Sequence, residues 1–182
     1  MYLKTKRLLI RSIQSGDAQA LAELWADPAV THYLGGPRNP EALLKDFQAE
    51  AQAGQPDPFD LWPVIDLSSG QVIGHCGLLE KEVEGQPEIE LVYVLSASTW
   101  GQGYATEAAL ALRDYAFDQL GLPRLIALIK PEHQASAHVA QKIGMRLERE
   151  TVRAGGQVMQ VYTISSSTHR QTRIGQPDSR RT

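Results

Sequence analysis

Trp100-Gly101-Gln102-Gly103-Tyr104-Ala105-Thr106-Glu107 follows an alternating run, Ile89-Glu90-Leu91-Val92-Tyr93-Val94-Leu95, and opens a helical pattern over 106–120. Period-two alternation reads as a strand, and the spacing beyond it reads as a helix. A strand that passes through a glycine turn into a helix leaves main-chain N–H groups bare at the positive end of the helix dipole. Such a turn is a cradle for a phosphate or diphosphate. The glycines at 101 and 103 keep Cβ atoms out of a ligand's path to the backbone. Two familiar phosphate loops do not fit. A nucleotide-hydrolase loop needs Lys-Ser or Lys-Thr after its last glycine, where this chain has Tyr104-Ala105. A dinucleotide fingerprint needs a third small residue where Thr106 stands, and an acid at the end of a second strand. Taken alone, the loop is equally compatible with a tight turn that binds nothing.

Downstream, the 106–120 helix stops at Gly121 and Pro123. Residues 124–130 form a short apolar run, read as a strand buried on both faces. A helix over 134–143 is closed by Gly144. Strands at 145–152 and 157–164 are joined by Ala154-Gly155-Gly156, a hairpin signal. Upstream, 5–12 reads as a first strand, and Asp17 is placed to cap a helix to 26 that Asp27-Pro28 ends. Pro40-Glu41 opens a second helix to 53. Residues 59–67 and 72–79 read as a hairpin through Ser68-Ser69-Gly70, and a strand at 88–95 follows Gly85-Gln86-Pro87. This order gives an α+β domain with a mixed, mostly antiparallel sheet and helices on both faces.

The length of 182 residues suits one domain. Its 42% hydrophobic and 21% charged content is that of a globular protein. Neither a signal peptide nor a membrane span is expected, and the single cysteine, Cys76, fits a reducing cytoplasm and a core position rather than a nucleophile. Residues 165–182 hold four arginines against one aspartate, a balance of +3; a formal charge of −3 overall then leaves −6 on residues 1–164. An acidic body argues against nucleic acid and suits a cationic partner such as an amine. Residues 165–182 lack apolar periodicity and are read as a disordered basic tail, with the domain at 1–164.

With these segments in order, the chain resembles a GNAT-type N-acetyltransferase of the ribosomal-protein N-terminal acetyltransferase-like branch. The resemblance spans residues 3 to about 164. It rests on Thr5-Lys6-Arg7-Leu8-Leu9-Ile10-Arg11 with Asp17, on Val72-Ile73-Gly74-His75-Cys76-Gly77, on the run Trp100 to Ala108, and on the run His133 to Met145. It implies acetyl-CoA as co-substrate and no metal. The diphosphate would rest on N–H groups of Gly101, Gln102, Gly103, Tyr104, Ala105 and Thr106. The pantetheine would pair with the strand edge at Tyr93, Val94 and Leu95, in a gap between splayed strands, with a main-chain N–H near Tyr93 or Val94 polarising the thioester. His133 stands where the family commonly has an asparagine that touches the pantetheine, and Trp100 stands where it often has Gln or Arg.

An amine must be neutral to attack a thioester, so a general base is useful. Glu90 is the favoured base; a solvated edge carboxylate is the competing reading. His75, His133 and His138 are lesser candidates. By the resemblance, Ser136 lies near the sulfur, as hydrogen-bond donor or acid; a serine satisfying the helix start is the competing reading. Many family members carry a tyrosine acid where this chain has Ala140. Glu107 reads as a structural carboxylate in a first helical turn. The acceptor groove is expected between His32-Tyr33-Leu34 and the last hairpin. The expected function is transfer of acetyl from acetyl-CoA to a primary amine, on a protein or peptide N-terminus or a small molecule, directly in a ternary complex. The alternative is a non-catalytic acyl-CoA-binding module; a nucleotide-binding regulator rests on the glycine loop alone. No nucleic-acid or membrane partner is expected, and a homodimer is compatible with the sequence.

Overall fold

The computed structural model describes residues 2–54, 57–153 and 155–174. Two short strands, β1 (Tyr2–Lys4) and β2 (Leu8–Arg11), are followed by helices α1 (Ala18–Ala26), α2 (Pro28–Thr31) and α3 (Pro40–Ala53). A meander of β3 (Leu61–Asp66), β4 (Val72–Val83) and β5 (Gln86–Leu95) leads into α4 (Tyr104–Asp118). Then come β6 (Arg124–Ile129), α5 (Gln134–Lys142), β7 (Arg146–Val152), β8 (Val158–Ser165) and α6 (Ser166–Ile174). The strands form one sheet in the order β1-β2-β3-β4-β5-β6-β8-β7. All neighbours are antiparallel except β5 and β6.

Local chemistry accounts for most element boundaries. Asn39 accepts from the N–H groups of Glu41 and Ala42, Pro40 opens α3, and Gly54 at φ 65° closes it. The β4–β5 hairpin turns on Glu84 and Gly85, both at positive φ, so Gln86 and Pro87 belong to β5 and not to a loop. Three sequence expectations need correction. The strand expected at 5–12 begins only at Leu8, because Thr5 accepts from the Leu8 N–H and turns the chain back, and a further strand, β1, precedes the turn. Asp17 does not cap α1; its carboxylate accepts from the Gln14 N–H and the Arg11 guanidinium. The segment after 164 continues in β8 to Ser165 and then forms α6, whose His169 packs on Phe117 of α4. Residues 175–182 lie outside the described residues.

The strand pleat sorts the core onto two faces. On one face α4 and α5 pack over Trp62, Cys76, Leu78, Leu91, Leu95 and Ala127. On the other, α1 and α3 pack over Val92 and Val94. His75 lies on this second face, buried, accepting from Trp25 Nε1 at 3.1 Å. Burial pushes its imidazole down to about 4. The unfolded chain then binds a proton that the folded state refuses, so stability is complete above pH 6.5 and is lost as pH falls toward 4. The expected loss between pH 7 and 5 is on the order of 2 kcal/mol, or ~5 °C in Tm. Melting curves across that window check it. His75→Gln should flatten the slope, and an unchanged slope would refute the assignment.

Candidate active site

Strands β5 and β6 run parallel, yet the only residues they match in register are Glu90 and Ile126. Beyond that pair they diverge. The β4–β5 ladder fixes which main-chain groups face the opening. Ser96 N–H bonds to Ile73 carbonyl, so Val94, two residues earlier, also turns its main chain toward β4, opposite His75. Tyr93 and Leu95 therefore turn theirs toward β6, into the gap. Of the three strand residues expected at the pantetheine, the structure brings Tyr93 and Leu95 to the opening. The amide of Val94 it commits to the sheet.

The gap opens toward the glycine loop. Gly101 and Gly103 adopt φ of 72° and 81°, and α4 starts at Tyr104 with no side chain capping it. Its first N–H groups, at Tyr104, Ala105 and Thr106, have no intrahelical acceptors. A Cβ built on Gly101 would meet nothing within 4 Å, and one on Gly103 only Arg7 Nη2 at 3.6 Å. The room over the loop is thus open to a ligand, and the donor set suits a diphosphate.

Arg7, which the sequence reading left without a role, fixes this loop from the β1–β2 turn. Its Nη1 donates to Gln102 carbonyl at 2.9 Å, its Nε to Glu107 at 2.6 Å, and its guanidinium covers the Tyr104 ring at 4.2 Å. Glu107 also accepts from Thr5 Oγ1 and the Arg7 N–H. Burial opposes its charge, but these bonds prevail and hold its carboxyl below the ordinary value. Glu107 is structural, as expected. Trp100, in place of a cation, donates its indole N–H to Leu95 carbonyl at 2.9 Å. A pantetheine amide must therefore use other strand groups or displace the indole.

The catalytic candidates approach the gap from opposite faces. Glu90 lies on the face of Val92 and Val94, buried to 8% exposure, with Oε1 3.4 Å from the Leu128 N–H and Oε2 4.0 Å from Arg153. Burial raises its carboxyl above the usual range; Arg153, Lys81 and the Leu128 N–H offset this in part. Ser136, in the first turn of α5, lies on the other face with the Tyr93 hydroxyl. His133 occupies the N-cap position of α5 without a side-chain capping bond and stacks on Tyr33, ring centroids 4.2 Å apart. Burial, aided by His32, holds its imidazole low. His138 is exposed and His75 is walled in by Trp25 and Phe47. Cys76 is fully buried and its thiol is pushed up to about 12, which rules it out as an acetyl carrier.

An open cleft of about 490 Å³ is lined by His32, Tyr33, Lys130, Glu132, Gln157 and Val158. This is the groove expected between the His32 loop and the last hairpin. The Tyr33–His133 stack, which joins it to α5, had no local sequence signal, since the two residues are 100 positions apart.

A splayed parallel pair beside a bare helix start defines an acyl-CoA transferase site. The comparisons agree. Residues 7–146 match the acetyltransferase (GNAT) domain profile, and the chain belongs to the GNAT acetyltransferase family. It is 35% identical over 150 residues to the uncharacterized N-acetyltransferase YnaD of Bacillus subtilis, covering 81% of this chain and 84% of that one. It is 31% identical to the uncharacterized N-acetyltransferase p20 of Bacillus licheniformis, covering 90% and 94%. A GNAT-family acetyltransferase crystal structure from Bacillus anthracis superposes with a TM-score of 0.76 at 29% identity, covering 92% and 99%. The protein is an acetyl-CoA-dependent N-acetyltransferase that moves acetyl to an amine. Among the described residues no helix is long and apolar enough to cross a membrane, and no cluster of three metal-binding side chains occurs.

Proposed function

We propose that the protein acetylates a primary amine, on a peptide N-terminus or a small molecule, by direct transfer in a ternary complex. The observation that carries this reading is that Glu90 and Ser136 lie on opposite faces of the sheet, Glu90 with its carboxylate 3.4 Å from the Leu128 N–H of β6 and Ser136 beside the Tyr93 hydroxyl. An amine entering over the Glu90 face reaches the thioester from one side, and the sulfur leaves toward α5 on the other. The chain's single cysteine, Cys76, is sealed in the core and cannot carry the acetyl group. The main-chain N–H groups of residues 101–106 hold the diphosphate, and the Tyr93 N–H faces the gap where the thioester oxygen gains charge. One such donor contributes about 10²–10³ in rate. The raised carboxyl of Glu90 suits proton removal from an ammonium near neutral pH. His133 and Tyr33 form the wall between the acceptor cleft and the sulfur.

The test is release of free CoA thiol across a panel of peptides with free α-amines, polyamines, amino acids and aminoglycosides. Turnover with at least one class is expected, with intersecting initial-rate lines when both substrates are varied. Parallel lines would mean a covalent acetyl-enzyme and would overturn direct transfer. A second expectation concerns the loop. Arg7→Ala should raise KM for acetyl-CoA by about tenfold and leave kcat within ~3-fold, because the cradle loses its pre-organisation and no reacting group. Initial rates at varied acetyl-CoA check it; an unchanged KM would refute a role for Arg7.

A further inference from the structure

Helix α5 begins beside the gap, and one side chain of β5 ties it there. The Tyr93 hydroxyl donates to Ser136 carbonyl at 2.8 Å and lies 3.0 Å from Ser136 Oγ. A phenol carries a single proton, so in the second contact the serine hydroxyl donates and the phenol oxygen accepts. The phenol thus grips both the main chain and the side chain of Ser136. We propose that Tyr93 is a positioning residue for acetyl transfer: its phenol holds the Ser136 hydroxyl at the wall of the β5–β6 gap, from which that hydroxyl turns to donate to the departing CoA sulfur. This rests on the direct-transfer reading above.

The topology supports the placement. A ligand anchored on residues 101–106 and laid along the open edge of β5 passes Leu95 first. Two residues further, at ~3.3 Å per residue, it reaches Tyr93. Beyond that the strands close at Glu90 and Ile126. The reacting end of an extended ligand therefore stops beside Tyr93 and Ser136. Ala140, one turn further along α5, is fully buried and offers no hydroxyl. The phenol reaches this helix from the opposite wall instead.

The chemistry decides between acid and positioner. Burial pushes the Tyr93 hydroxyl up to about 12. A thiol ionises at about 8.5, so a thiolate does not capture that proton. In the transfer, the amine nitrogen bonds the acetyl carbon and the carbon–sulfur bond breaks with its electron pair on sulfur. The nitrogen proton leaves through Glu90 or water. The thiolate is stabilised by the Ser136 hydroxyl and is protonated by solvent after release. Both hydroxyls end unchanged.

A double-mutant cycle tests this, with the best acceptor from the panel. Tyr93→Phe and Ser136→Ala should each lower kcat roughly tenfold, with KM for acetyl-CoA within about twofold. In the Ser136→Ala background, Tyr93→Phe should cost nothing more, because Tyr93 acts through that hydroxyl. Affinity for desulfo-CoA, which lacks the sulfur, should be unchanged in all variants by calorimetry. Tyr93→Met serves as the second variant should the phenylalanine protein fail to fold. The proposal is overturned by additive losses, by Tyr93→Phe turnover within twofold of the parent, or by desulfo-CoA affinity falling in step with kcat, which would mark a mere strut. A parent protein that binds neither CoA nor desulfo-CoA would overturn the site itself. One that binds both and gives an additive cycle removes only the Tyr93 role.

Discussion

Glu90→Gln is expected to lower kcat/KM by about 10²–10³-fold at pH 7, the usual worth of a positioned general base. Glutamine keeps the size of the side chain and an oxygen for the Leu128 N–H, so the change removes the proton acceptor together with its 4.0 Å ion pair to Arg153. Glu90 is only 8% exposed, and burial outweighs Arg153 and Lys81 in setting its carboxyl above the ordinary range. The parent enzyme should then lose activity as pH falls through that raised value, since only the carboxylate accepts a proton. In Glu90→Gln this acid limb should vanish, leaving the ionisation of the acceptor amine. The check is a pH profile of kcat/KM for both proteins. A variant within tenfold of the parent, or one that keeps the limb, would remove Glu90 from the chemistry. A surviving limb would shift the role to His133, a half-buried imidazole held low by burial and stacked on Tyr33 of the cleft wall.

Gly77→Ala should cost the fold at least ~3 kcal/mol, a fall of roughly 10 °C in Tm. A Cβ at this position would lie 1.9 Å from Asp60 carbonyl oxygen and 2.9 Å from Leu61 Cα. Both are main-chain atoms of the neighbouring segment, so no side-chain rotation relieves the overlap. The same carbonyl accepts from Leu78 N–H at 3.1 Å, and moving it away breaks that bond. The strain enters beside the β3–β4 ladder, where Leu61 pairs with Gly77. Thermal melting decides the matter: a midpoint within 2 °C of the parent would show that the strands part at little cost. Gly101→Ala is the contrast. Nothing lies within 4 Å of its Cβ, so only its φ of 72° is penalised. Its stability loss should be the smaller of the two, about 1–2 kcal/mol.

Why one glycine matters more than another was not readable from the chain. Gly77 and Gly101 look alike in sequence; the first lies against a strand 16 residues away and the second against solvent. The same limit applied to the candidate site. The glycine turn and Glu90 could be singled out from local patterns, a turn between strand and helix and an alternating strand, whereas Ser136 came forward through the family resemblance. Arg7 was not legible, since a cation in a strand-like opening segment carries no sign that it will reach Gln102 and Glu107. The Tyr93 side chain was read only for its main chain, because its phenol meets a helix 43 positions away. Val94 was assigned to the gap from its neighbours, and the ladder register turned it the other way.

The sequence by itself determined the order of elements from α1 to β8, apart from the short α2, and the strand–turn–helix unit, and its family resemblance pointed to acyl-CoA chemistry. Periodicity, glycine turns and caps act over a few residues, so they are written where they operate. Only the tertiary structure decided that β5 and β6 touch at one pair and then part, that Glu90 and Ser136 lie on opposite faces of the sheet, and that Tyr93 binds Ser136 and Arg7 the glycine loop. These depend on strand register and on which side of a pleated sheet each residue emerges, which are settled when distant segments pack and not before.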